Sequence, residues 1–251
     1  MVDAEYFDNW YADIERSSAR EALFTSFLDL PPEVGPSNLV PRAGLDELVG
    51  VLELDTDGLL VDLACGRGGP GMYVARAAGS RLRGVDFSAE AVRQATSRRG
   101  LFGLSERASF VVGDLTATGL PSGEADAVLC VDAVQFAPDP TDAITEMLRL
   151  LRPGGRVALT CWEPIEPGDP ELPVRLRDLD LATALTAGGF TDVVVEKRPA
   201  WREVERQLWE HVAAMPSDGD PAIASMQAEA SRTLPTFDRF RRVLATGRAP
   251  G

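Results

Sequence analysis

The stretch Leu59–Phe87, LLVDLACGRGGPGMYVARAAGSRLRGVDF, decides the fold. Its opening apolar run, Leu59 to Val61, follows Gly58 and is too short for a helix, so it reads as a buried parallel strand. Asp62 interrupts the run, and Gly66, Gly68, Gly69 and Gly71 follow. Pro70 stands where a helix should begin, a position at which its missing N–H costs nothing. The helix from Gly71 to about Ala78 stops at Gly79-Ser80, and a second strand, Leu82 to Val85, ends on Asp86. Strand, glycine turn, helix, strand, acid is the first βαβ unit of a nucleotide-binding sheet.

Gly66, Gly68 and Gly71 satisfy GxGxxG, which a tight turn without ligand would satisfy equally well. The acids at the two ends discriminate. Asp86 closes its strand where a carboxylate can accept hydrogen bonds from both ribose hydroxyls. Asp62, an acid ending a buried strand, must find donors or a cation. It would repel a pyrophosphate and welcome an ammonium or sulfonium.

VDLACGRGG (Val61 to Gly69) resembles the first motif of class I methyltransferases that use S-adenosylmethionine, and the resemblance extends over about Leu59 to Phe190. Ala64 departs from it, standing where a glycine is commoner, and an extra Gly-Pro-Gly lengthens the turn. The relatives suggested are small-molecule enzymes of the ubiquinone, menaquinone and natural-product type. The resemblance implies S-adenosylmethionine as cofactor.

At 251 residues the chain can bury one good core, and 45% hydrophobic with 25% charged residues is ordinary for a globular protein. A net charge of −14 and a pI near 4.6 argue against nucleic acid and against an anionic membrane surface. The acidic, amphipathic start MVDAEYFDNWYADIERS lacks the apolar core of a signal peptide, and no 18 apolar residues run together. Three widely spaced cysteines (Cys65, Cys130, Cys161) and one histidine offer neither a metal site nor a disulfide framework. Small buried hydrophobes in a cytoplasmic protein are the expectation.

The chain divides into alternating elements. Asp3 to about Leu28 reads as one helix, capped by Asp3, with Tyr6, Phe7, Trp10 and Tyr11 crowded into one helical turn and its neighbour. A short helix spans Arg42 to Leu52; Ser88 caps a helix from Ala89 to Arg99; Ser109–Val112 and Ala125–Val131 are the third and fourth strands. Asp139-Pro140 open another helix. LRPGG (Leu151 to Gly155) turns into a fifth strand, Arg156 to Trp162, and a helix from Val174 to Ala187 precedes strand six, Phe190 to Lys197. Trp201 to about Leu234 is helical again, and RRVLAT (Arg242 to Thr246) suits a seventh strand, antiparallel to the sixth by resemblance. The expected fold is α/β, a doubly wound, mostly parallel, seven-stranded Rossmann-like sheet in a single domain, 1–251. Within it, cap elements 1–45 and 200–235 cover a core of 46–199 and 236–251.

S-adenosylmethionine combines an adenine, a ribose diol, a sulfonium and an amino acid, and the strand ends offer a partner for each. Asp86 suits the diol, and Phe87 the adenine face. Gly113, Asp114 and Leu115 (GDL) match the family where an acid takes the adenine amino group, although Asp114 can equally be a turn acid. Ala64, Gly66 and the glycine turn let backbone approach the methionine part, whose amino group Asp62 can hold. Val131, Asp132 and Gln135 follow strand four and would line the groove beside the sulfonium, or Asp132 could form a salt bridge. Tyr11 is the lid residue expected to reach the cofactor, in a segment similar to the family's covering helix; plain core packing is the alternative.

Some members carry a histidine after strand four as base; here DAVQF (Asp132 to Phe136) has none. His211, bordering the stripe Val204, Leu208, Val212, Met215, is the catalytic candidate, against a partly buried structural histidine; Glu163 is a further one, against an exposed loop acid. The expected activity is methyl transfer to a small, apolar or aromatic acceptor, a choice resting on Trp10, Trp201 and Trp209 in the cap. The alternatives are a nicotinamide-dependent oxidoreductase, which leaves Asp62 and Asp114 without a role, and a protein that binds S-adenosylmethionine without transferring its methyl.

Overall fold

The computed structural model describes residues 4–216 and 219–251. The expected cap at Asp3 lies outside them. Seven strands form one sheet: β1 (Leu59–Leu63), β2 (Arg81–Asp86), β3 (Ala108–Val112), β4 (Ala125–Val131), β5 (Leu151–Pro164), β6 (Thr191–Lys197) and β7 (Phe240–Arg248). Their order is β3-β2-β1-β4-β5-β7-β6, parallel except for β7, which runs antiparallel between β5 and β6. The doubly wound expectation holds. β7 is flanked on both sides, so it closes the sheet rather than extending its edge.

Alternation along the strands sends neighbouring side chains to opposite faces. Leu60, Leu82, Leu129 and Leu244 join one apolar cluster with helices α3 (Arg42–Leu52), α4 (Gly69–Ala78) and α9 (Pro199–Ala214). Val61, Val128, Leu159 and Val243 join another with α6 (Pro140–Leu150) and α8 (Leu181–Ala187). Both faces are covered, which is why β1 and β4 are apolar nearly throughout. The remaining helices are α1 (Ala4–Arg16), α2 (Ser18–Phe27), α5 (Ala89–Arg98), α7 (Val174–Arg177) and α10 (Pro221–Thr233).

Three expected elements differ. The single N-terminal helix is two, because Ser17 leaves helical geometry to cap α2, accepting the Arg20 N–H, while its hydroxyl donates to Asp220 at 2.5 Å. The helix from Val174 to Ala187 is also two, α8 starting afresh on Asp180, which accepts the Thr183 N–H. LRPGG is part of β5: Leu151 pairs with Ala125, and Gly154 at φ 74° absorbs the irregularity before Arg156 rejoins the ladder. Cys65, Cys130 and Cys161 are buried free thiols.

β1 lies between β2 and β4, the point where the strand order reverses, and in such sheets ligands bind at the carboxyl ends of the strands there.

Candidate functional site

At the carboxyl end of β1 the chain turns through Ala64 (φ 51°), Gly66 (φ 53°) and Gly68 (φ 76°) before α4 begins. The left-handed conformation is free to glycine and strained in alanine, so the turn holds Ala64 in a conformation that glycine would adopt without strain. A Cβ at Gly71 would land on the Asp62 carboxylate, and one at Gly66 would lie 2.7 Å from the Ser37 hydroxyl and 2.8 Å from that of Tyr11. The glycines therefore admit close approach from two directions.

Asp62 is 2% exposed, and its Oδ2 has no hydrogen-bond partner. Burial first, then the nearby Asp86, pushes its carboxyl up to about 8, a backbone N–H at Gly71 offsetting only part. A cation placed there would restore the ionised form. Asp86 is also buried; its Oδ2 accepts the Gly66 N–H at 2.8 Å and its Oδ1 the Ser88 N–H at 2.9 Å. Burial raises it to about 6 against those bonds. Each oxygen retains a lone pair for a further donor.

Asp114 is exposed at the tip of β3, its Oδ1 accepting both the N–H and the hydroxyl of Thr116 at 2.7 and 2.6 Å. Oδ2 takes neither bond. Gly113 donates to the Asp86 carbonyl, and Leu115 packs half-buried against the second cluster. Phe87 is half-buried; the ring of Phe7, on α1, lies 5.2 Å from it and 5.8 Å from Phe136 beyond β4. α1 thus closes over the crevice. Asp8 fastens it to α5 by accepting from the Ser88 hydroxyl and the Glu90 N–H, and Tyr11 is buried beneath it. Burial holds the Tyr11 phenol well above its usual range.

Val131, the last residue of β4, and Gln135 beyond it are buried, Gln135 donating to the Asp132 carbonyl and accepting from the Cys161 thiol. Asp132 forms the salt bridge left open above: Arg242 stands at 2.6 Å, and the Thr160 hydroxyl and Leu39 N–H complete its bonding. It is bound to protein groups rather than turned to the crevice.

Three other expectations are corrected. His211 is solvent-exposed on α9 rather than partly buried, its ring 5.1 Å from that of Phe27, and no contact brings it to the strand-end acids among the described residues. Glu163 is no loop acid but a buried residue of β5, accepting from the Leu181 N–H and from Arg241. Trp201 and Trp209 are buried core residues rather than aromatics of an open cap.

Ser37, Arg20 and Arg67 were not foreseen. Arg20 and Arg67 are each 3% exposed; Arg67 Nε and Nη1 lack hydrogen-bond partners, and Glu21 is 3.7 Å away. Burial, with Arg67 as like-charged neighbour, pulls Arg20 down to about 10. Two buried guanidiniums beside the glycine turn suit the carboxylate of an amino acid. The available signal was Arg67 itself, a long cation inside a turn of small residues.

Asp62 for an ammonium, Asp86 for a diol and buried arginines for a carboxylate fit S-adenosylmethionine better than a dinucleotide, whose pyrophosphate Asp62 would repel. Residues 61–159 match the family model described as a methyltransferase domain, and the seven-stranded sheet is the Rossmann-like fold of the methyltransferases that this chain resembles. Methyltransferase GfsG of Streptomyces halstedii is 28% identical over 175 residues, 68% of this chain and 59% of that protein. The 27-O-demethylrifamycin SV methyltransferase of Amycolatopsis mediterranei is 32% identical over 114 residues, 45% of this chain and 42% of that one. A rice probable tocopherol O-methyltransferase is 30% identical over 115 residues, 45% of this chain and 32% of its own length. The matches thus span about a third to three fifths of these relatives. Among solved structures, the [4+2]-cyclase SpnF superposes with a TM-score of 0.68 at 27% identity, covering 82% of this chain and 79% of that one. Geranyl diphosphate C-methyltransferase from Streptomyces coelicolor A3(2) shares the fold, with a TM-score of 0.67 at 18% identity over 84% and 79% of the two chains.

Proposed function

We propose that this protein transfers the methyl group of S-adenosylmethionine to a small, apolar or aromatic acceptor in the cytoplasm, as a tailoring step of natural-product or quinone type. The buried carboxyl of Asp62 beside the glycine turn carries the proposal, because its Oδ2, without a partner, is free to take a cationic N–H where the cofactor's amino group would lie. Bound cofactor supplies an activated methyl on sulfur. The chain's own work is to bind, orient and exclude water, and alignment can contribute up to ~7–11 kcal/mol. Asp62 holds the ammonium, Arg20 and Arg67 the carboxylate, Asp86 the ribose diol, and Asp114 the adenine amino group through Oδ2. Tyr11 and Phe7 cover the crevice, and Val131 and Gln135 shape its wall near β4. Segments 1–45 and 200–235 act as the cap. Two of the named relatives are a 27-O-demethylrifamycin SV methyltransferase and a probable tocopherol O-methyltransferase, which supports a small-molecule acceptor here. Among the described residues no helix is long and apolar enough to cross a membrane. The acidic surface does not favour nucleic acid.

Calorimetric titration tests this directly. S-adenosylhomocysteine should bind, and NAD and NADP should not. Asp86→Ala removes two charge-assisted hydrogen bonds, each ~1.5–3 kcal/mol, and should weaken binding at least tenfold. Unchanged affinity would remove the ribose assignment. Because a cyclase shares this fold, product analysis with labelled methyl must accompany binding, and label that never leaves the cofactor in the presence of turned-over acceptor would refute methyl transfer.

A further inference from the structure

A second buried polar cluster lies at the carboxyl ends of β4 and β5, the same end of the sheet as the crevice. Arg242, in register with Trp162 across β5 and β7, is fully buried; its guanidinium carbon sits 4.0 Å from the indole centroid. One nitrogen, Nη2, makes both bonds to Asp132, at 2.6 and 2.7 Å, while Nε and Nη1 have no partner. Asp132 is held at φ 56° by donors from three segments, an arrangement that fixes the guanidinium. On the nitrogen edge of the same indole, Glu205 of α9 is 2% exposed and accepts from Trp162 Nε1 at 2.8 Å and from Trp209 Nε1 at 3.3 Å. The charged groups acting on Glu205 are Arg242, which lowers it, and Asp132, which raises it; burial outweighs both and brings it to about 7. Trp162 itself is only half-buried, so one part of the ring that stacks on Arg242 faces outward.

A buried cation with two unsatisfied nitrogens calls for a partner. We propose that Arg242 and Glu205 form the acceptor subsite, taking a weakly acidic hydroxyl, a phenol or enol, whose proton passes to Glu205 and whose oxyanion rests on Arg242 Nη1. The site's net charge is unchanged by this transfer, which is why a neutral acid suits it better than a preformed anion. The electron pair left on the acceptor then takes the methyl as the carbon–sulfur bond breaks, leaving a neutral methylated product and neutral S-adenosylhomocysteine. This deepens the methyltransferase proposal and rests on it.

The test uses 4-nitrophenol for the phenol arm and acetylacetone for the enol arm, both of which change ultraviolet or visible absorbance on ionisation. Each is added to protein saturated with S-adenosylhomocysteine, at a pH below the probe's own pKa. The wild type should show the ionised probe's band with at least one arm. Glu205→Gln, which keeps an oxygen for the indole N–H groups, and Arg242→Gln should each reduce that band at least tenfold while S-adenosylhomocysteine affinity stays the same. If Arg242→Gln does not fold, Glu205→Gln alone decides. An unchanged band in folded Glu205→Gln, or no bound ionised probe in the wild type, would show a purely structural ion pair and overturn the inference. Wild-type protein that fails to bind S-adenosylhomocysteine would overturn the methyltransferase proposal first.

Discussion

Ala64 and Asp132 hold left-handed backbone conformations at the carboxyl ends of β1 and β4, the two strands that flank the reversal of order. Such strain persists where surrounding contacts over-determine it, and it gathers at functional sites. Gly71 adds a requirement of space: a methyl group there meets the Asp62 side chain, so the carboxylate or the start of α4 must shift. Gly71→Ala should abolish measurable S-adenosylhomocysteine binding in calorimetry; retained affinity would show that Asp62 does not face the ligand. His211 belongs to the same scale. Exposed beside Phe27, it lacks the setting of a general base, whose loss typically costs 10²–10⁴-fold. His211→Gln should slow single-turnover methyl transfer less than about 100-fold, and a fall of ~10³ at constant cofactor affinity would make it the base after all.

At the scale of elements, α1 is fastened by side chains rather than by sheet hydrogen bonds: Asp8 to the start of α5, Gln94 to the Tyr11 carbonyl, Glu15 to Arg93. Its Phe7 ring bridges Phe87 and Phe136, and the proposed lid role has α1 lift for ligand entry. Lids are drawn from the less stable parts of a structure. The N-caps of α2 and α10 meet where the Ser17 hydroxyl donates to Asp220, which couples the two pieces of the proposed cap. Hydrogen exchange in α1 and α10 should slow when S-adenosylhomocysteine is added. Protection confined to the turn between Asp62 and Asp114 would make both helices plain scaffold.

For the whole molecule, three buried acids carry the pH dependence. Asp62, Asp86 and Glu205 stand at about 8, 6 and 7, all above the ~4 of an unfolded carboxylate. The folded state therefore binds more protons than the unfolded one between those limits. Their contribution is fully present below about pH 4 and is lost as pH rises through 6 to 8. The melting temperature of ligand-free protein should fall from about pH 5 to about pH 8.5, and Asp62→Asn should flatten the upper part of that slope. An identical slope in the variant would mean that Asp62 is ionised without ligand.

The βαβ unit from Leu59 to Asp86, the apolar β4, and the caps at Ser88 and Asp139 were all legible in the sequence, because each depends on residues adjacent in the chain: period, turn chemistry, side chain to nearby N–H. Asp62 and Asp86 were legible for the same reason, as acids in strand-end positions that polarity alone makes unusual. The breaks at Ser17 and Asp180 escaped, since an apolar stripe continues across both; Ser17 is tied to the distant Asp220, whereas Asp180 caps α8 by a local bond to the Thr183 N–H. So did the positions of Trp209, His211 and Glu163, because periodicity marks a face of an element but not what covers it. Arg242 shows the limit most clearly. In the chain it follows another arginine near the C-terminus; only the antiparallel insertion of β7 between β5 and β6 carries it beneath Trp162 and onto Asp132, 110 residues away in sequence. Local chemistry wrote the crevice, and sheet order, a property of contacts distant in sequence, brought the second cluster to its side.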